Sequence, residues 1–184
     1  MVLLESGSML AKNAIAPDFS LIGIDNKIHS LKDYQDYELL LIIFICNHCP
    51  YVQAKINAIN GIYNKFNDRL AMVAINSNDA INYIEDNFEN MKKMAKNRNI
   101  KFDYLFDETQ EIAKKFGAKC TPDPFLFNKH RKLVFHGRID NAMKLEDEVT
   151  EKTMINNIEK LLQNLEINDY FIPSIGCSIK WKKQ

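Results

Sequence analysis

Along the chain, unbroken apolar runs alternate with segments whose apolar residues return every three or four positions. "ELLLIIFI", Glu38 to Ile45, has no polar alternation and predicts a central strand covered on both faces. After Pro50, the spacing of Val52, Ile56, Ile59, Tyr63 and Phe66 predicts an amphipathic helix. "LAMVAI", Leu70 to Ile75, predicts a second buried strand, and Asp86 with Glu89 a capping box for a helix that turns Met91, Met94 and Ala95 inward. "FDYLFD" reads as a short strand. Asp107 and Gln110 can cap the following helix, which bears Ile112 and Phe116 and stops at Gly117. "PFLF" and "KLVFHG" flank the polar turn Asn128 to Arg131 as an antiparallel hairpin, and a last helix is expected from Val149 to Leu165. Nearer the front, "PDFSLIGIDNKIHSLKDY" offers two short strands around Gly23 and Asp25-Asn26, then a helical turn from Ser30. The tail "FIPSIGCSIKWKKQ" has no regular pattern. This order of elements predicts an α/β layer fold, a mixed sheet with helices on both faces.

Composition narrows the setting. The 184 residues, 46% of them hydrophobic, suit one domain over residues 1–184, and neither a repeat nor a low-complexity linker interrupts them. Lys plus Arg equals 24 and Asp plus Glu equals 24, a balance that points to neither nucleic acid nor an anionic membrane as partner. Leu39 to Cys46, the longest apolar run, is too short to span a bilayer. The opening "MVLLESGSMLAKNAIAPDF" has Glu5 near its front and no basic leader, so it does not read as a secretory signal. The expected address is cytoplasmic, where disulfides are transient and catalytic. Four cysteines are too few for a disulfide scaffold and enough for redox chemistry.

The candidate chemistry lies in "FICNHCPYV", where Cys46 and Cys49 bracket the junction of a buried strand and a helix. Unpaired N–H groups and the aligned peptide dipoles make a helix start electropositive, and a thiol there ionises more readily. Cys46 is expected at the exposed lip as nucleophile, with Cys49 one turn in, able to attack the mixed disulfide. Pro50 suits the first helical turn. His48, between them, can tune the pair by stabilising the thiolate; its alternative role is that of a half-exposed helix-start residue.

"APDFSL", the strand ending in Cys46-Asn47-His48-Cys49-Pro50, "CTPDPFLF" and the ending "GCSIKWK" together resemble the thioredoxin-like superfamily. More closely, they resemble its peroxiredoxin-like, redoxin-domain (AhpC/TSA-related) branch. The resemblance covers nearly the whole chain. It implies a thioredoxin-like fold: a central mixed β-sheet with helices on both faces, an N-terminal β-hairpin extension and a C-terminal tail. It also implies a cis-proline at Thr121-Pro122 facing the cysteine pair, with the Thr121 backbone left to pair with an extended substrate segment. The implied activity is thiol–disulfide exchange with disulfide-containing proteins or small molecules. No cofactor is held beyond the redox-active disulfide, so electrons come from a separate reductase or small thiol.

The family patterns are incompletely matched. Ile45 stands where thioredoxins carry a Trp before the first cysteine, and Leu40 stands where they bury an acid. With Cys49 aligned as a peroxidatic cysteine, Ile42 and Cys46 replace the Pro and the Thr or Ser of peroxiredoxins. Thiol peroxidase activity is therefore the alternative within the same class. A second class is a zinc-binding or non-catalytic interaction module, with Cys46, His48 and Cys49 as ligands completed by Cys120 or Cys177; a single visible ligand pair weighs against a metal. Cys120 and Cys177 are auxiliary thiol candidates, with Cys177 folding back on Cys120 or Cys46, or else small buried residues. His29, His130 and His136 lack partners at recognisable spacing and are expected at the surface. Trp181 and its neighbouring lysines are expected to pack the tail against the body.

Overall fold

The unbroken apolar run becomes the middle of the molecule. In a computed structural model describing residues 3–183 (Met1, Val2 and Gln184 lie outside them), the chain opens with β1 (Leu3–Glu5), β2 (Ser20–Gly23), β3 (Ile28–Ser30) and β4 (Leu39–Phe44). Then come α1 (Pro50–Phe66), β5 (Leu70–Asn76), α2 (Phe88–Asn97), β6 (Asp103–Phe106), α3 (Glu111–Phe116) and β7 (Cys120–Thr121). The hairpin β8 (Asp123–Asn128) and β9 (Leu133–Gly137), α4 (Thr153–Leu162), β10 (Phe171–Ile172) and β11 (Ile175–Ser178) complete it. Eight strands form a mixed sheet in the order β10-β9-β8-β4-β5-β6-β2-β3. β4 is central, parallel to β5 and antiparallel to β8.

Because successive side chains of a strand point to opposite faces, β4 feeds two cores. Leu39, Leu41 and Ile43 pack with Val52, Ile56 and Ile59 of α1, Met91 of α2 and Met154 and Ile158 of α4. Leu40, Ile42 and Phe44 face the other layer, with Ile112 and Phe116 of α3. Phe116 stands edge-on to Phe44 and Phe125, both at 5.4 Å. Each such fully buried Leu or Ile contributes about 2 kcal/mol, which is why the run tolerates no polar residue. The N-terminal hairpin β2–β3 joins the sheet through β6, and its turn uses Asn26 at a left-handed φ of 63°.

Four expectations change. Asp86 does not cap α2; Asn87 does, accepting the Asn90 N–H at 2.8 Å, and Asp86 turns inward instead. The last helix is shorter than its pattern, since Val149 and Leu165 at the ends of the expected span are both exposed and have no core to face. The tail is ordered by pairing: β10 adds in parallel to β9, while β11 lies between β1 and β7 in a separate three-stranded sheet. His136 is buried, not superficial, because β10 covers its strand; its Nε2–H donates to Asp123 Oδ1 at 2.7 Å and its ring stacks on Phe125. His130 is exposed, as expected, and His29 is half-buried beside Asp25. Trp181 keeps 41% of its surface exposed, with Lys114 over its ring. Among the described residues no helix is long and apolar enough to cross a membrane.

Candidate active site

β4 ends at Phe44 and α1 begins at Pro50, so Ile45 to Cys49 form a short link between a rigid strand and a rigid helix. Cys49 is the N-cap residue, with extended backbone, and Pro50 opens the helix as expected. The link is bolted down by one carboxylate. Asp86, itself without solvent exposure, accepts the N–H groups of Asn47 at 2.7 Å and His48 at 3.3 Å, the ring Nδ1–H of His48 at 2.6 Å and the amide of Asn78 at 2.7 Å. Asn47 adds two further ties, accepting from Tyr104 Oη at 2.9 Å and donating to Glu85 O at 2.7 Å. Asp86 is the site residue that sequence reasoning missed: 38 positions from its imidazole partner, it carries no local signal and imitates a helix cap.

The cysteines converge on the Thr121-Pro122 peptide, which is cis. Cys46 Sγ lies 3.4 Å from Thr121 Oγ1, and Cys49 Sγ lies 3.1 Å from Thr121 O. Cys177, carried in by β11, puts its Sγ 2.8 Å from Cys49 Sγ. Its sulfur thus meets Cys49, where the sequence offered Cys120 or Cys46. Cys120 turns to Pro122 O and Ser174 Oγ, both at 3.9 Å, and burial pushes its thiol well above the ordinary range, with Asp123 adding to the shift.

The electrostatics differ from expectation in one respect. Cys46 was placed at an exposed lip and made acidic by the helix start, yet its side chain is buried and its thiol is pushed well above the ordinary range. The first cause is its hydrogen bond to Cys49, followed by burial and the nearby charge of Asp86. Hydrogen bonding with Cys177, then with Cys46, pushes the Cys49 thiol far below the usual thiol range against the opposing effect of burial, with Thr121 and the Val52 backbone adding to the shift. When protonated, Cys49 donates to the Thr121 carbonyl at 3.1 Å.

His48 forms the rim. Its ring is half-exposed, stacks on Tyr83 at 5.8 Å with planes 6° apart, and is held protonated above the ordinary histidine range by its hydrogen bond to Asp86. Ligand atoms of Cys46, His48 and Asp86 lie within 4.8 Å of one another. Two ligands on one tetrahedral zinc stand about 3.4 Å apart, whereas His48 Nδ1 and Asp86 Oδ2 are 2.6 Å apart, the separation of a hydrogen bond.

A sheet of this order, with a helix-start cysteine pair packed on a cis Thr-Pro peptide, defines a thioredoxin-like redox protein. The sequence profile described as the AhpC/TSA family matches residues 13–136, and the chain belongs to that family. It is similar over its whole length to a crystal structure titled an uncharacterized conserved protein from Geobacillus kaustophilus, at 38% identity and a TM-score of 0.94, covering 100% of this chain and 98% of that one. A hypothetical protein from Sinorhizobium meliloti 1021 is 34% identical with a TM-score of 0.93, covering 98% of this chain and 99% of that one. The thioredoxin domain of a thiol-disulfide oxidoreductase from Bacteroides vulgatus shares the fold, with a TM-score of 0.66 at 17% identity over 83% of this chain and 98% of that one. No curated protein matches the chain.

Proposed function

We propose that this protein is a thiol–disulfide oxidoreductase in which Cys46 attacks the substrate disulfide and Cys49 resolves it. The observation that carries this reading is the convergence of both sulfurs on the cis Thr121-Pro122 peptide, with Cys46 Sγ 3.4 Å from Thr121 Oγ1 and Cys49 Sγ 3.1 Å from Thr121 O. As Cys46 attacks, it gives up its proton to solvent. One substrate sulfur joins Cys46; the other leaves as a thiolate and takes up a proton from solvent. Cys49 then attacks Cys46, forming the Cys46–Cys49 disulfide and releasing the second substrate sulfur as a thiolate. Thr121 holds both sulfurs through its hydroxyl and carbonyl, Pro122 follows it in the wall of the site, and His48 tunes the charge at the rim. The Thr121 edge was expected to receive a substrate strand, but β11 pairs with it. Substrate therefore reaches the sulfurs over the half-exposed Asn47 and His48. The partners are a disulfide-bearing protein or small molecule and an external reductant.

Insulin reduction tests this. Cys46→Ser abolishes it and Cys49→Ser accumulates mixed disulfides; equal rates for wild type and Cys46→Ser refute the assignment. The potential against glutathione sets the direction: about −270 mV marks a reductase and about −120 mV a disulfide donor.

One observation favours a second reading, reduction of a peroxide: Cys49, at the helix start, has a second sulfur 2.8 Å away. Peroxide turnover that survives Cys46→Ser and is lost in Cys49→Ser selects that chemistry.

A further inference from the structure

β11 does more than close the tail. Its Cys177 stands opposite Thr121 and its Ser178 opposite Cys120, antiparallel, on the edge beside the cysteine pair where an added substrate strand was expected. The approach is very close at Gly176, where a Cβ would fall 2.0 Å from Thr121 O, so only glycine lets this strand lie flat against β7. On its other side β11 is held by β1, with Leu3 opposite Cys177. The chain thus fills the edge with its own strand, and that strand carries a sulfur into contact with the active pair.

We propose that Cys177 is a third redox thiol, an internal partner that takes Cys49 from Cys46. The proposal rests on the dithiol reading above. When a substrate disulfide has been reduced, Cys46 and Cys49 are joined. Cys177, as its thiolate, attacks Cys49 Sγ at its contact distance of 2.8 Å. The Cys49–Cys177 bond forms, the Cys46–Cys49 bond breaks, and the electron pair goes to Cys46, which takes up the proton that Cys177 released. No electrons enter or leave: the oxidised state moves from the Cys46 side of Cys49 to the tail side. Cys46 is freed for another disulfide, and the external reductant acts on a bond between the helix start and β11. Cys49 is the shared centre of both pairs.

Disulfide mapping tests this. Wild type, Cys46→Ser and Cys177→Ser, each as the full chain, are equilibrated with oxidised glutathione, alkylated, digested and analysed by mass spectrometry. Cys46→Ser is expected to lose both remaining site thiols to alkylation through a Cys49–Cys177 link. Wild type is expected to show both links, and Cys177→Ser the Cys46–Cys49 link alone. The proposal is overturned if Cys46→Ser leaves Cys49 and Cys177 alkylatable or capped by glutathione, or if wild type contains the Cys46–Cys49 link and no other; the dithiol reading survives both results. Wild type forming the Cys49–Cys177 link and never the Cys46–Cys49 link overturns both the handover from Cys46 and the dithiol reading. Because the wild-type map decides on its own, misfolding of a variant leaves the answer intact.

Discussion

His48 meets Asp86 at 2.6 Å and His136 meets Asp123 at 2.7 Å, yet the two pairs sit in opposite surroundings. His136 and Asp123 are both without solvent exposure, the His136 ring lies against Phe125 and Phe171, and His136 Nδ1 has no hydrogen-bond partner among the described residues. Burial raises the Asp123 carboxyl above its ordinary range, with His136 pulling it back. Asp86 is equally buried, but its imidazole reaches the rim, and its remaining capacity goes to the backbone of the cysteine link and to the Asn78 amide. The same two groups therefore act as a core fastening in one place and as the frame of a reactive loop in the other. What separates them is access to water on the histidine side.

That contrast can be broken most sharply at His136. His136→Leu leaves Asp123 unpaired in the core and is expected to cost about 3 kcal/mol in urea unfolding, with the joint replacement of Asp123 by Leu recovering most of it. Thiol reactivity of the folded fraction should not change. A stability change within error for His136→Leu would show that the pair is not a core fastening.

Asp86→Asn comes next. It weakens several hydrogen bonds to a charged acceptor and is expected to cost about 2 kcal/mol. Unlike the His136 change it should alter chemistry as well, because the Asp86 charge helps to keep Cys46 protonated. Faster alkylation of Cys46 in Asp86→Asn, measured by peptide mass spectrometry under native conditions, is the expected result; an unchanged rate would make Asp86 a purely structural residue.

The smallest effect is expected from His48→Gln, and it depends on pH. Folding raises the His48 pKa through Asp86, above an unfolded value of about 6.5. Its stabilisation is therefore complete below about pH 6.5 and disappears as pH climbs through the folded value. The stability gap between wild type and His48→Gln should be widest in mildly acidic buffer and should close in alkaline buffer. A gap that widens with pH would reverse the assignment.

Much of the fold was legible because local pattern and tertiary role agree. The uninterrupted run Leu39 to Phe44 has a single economical placement, the sheet centre, and Cys49-Pro50 marks the start of the next helix through the conformational preferences of those residues. The cis Thr121-Pro122 peptide followed from a resemblance that the fold bears out. The boundaries of α4 were less legible, since helical spacing extends past the residues that find a core.

By itself, then, the sequence determined the layer order, the central strand and the meeting of a cysteine pair with a helix start, because these depend on neighbours within a few positions. Tertiary structure alone decided which sulfur meets Cys177, which acid frames the link and what lies on the Thr121 edge. Asp86 and Cys177 reach the site across 38 and 128 positions of sequence from their partners there. Strand pairing and burial bring such groups together, and neither leaves a trace in the local pattern of residues.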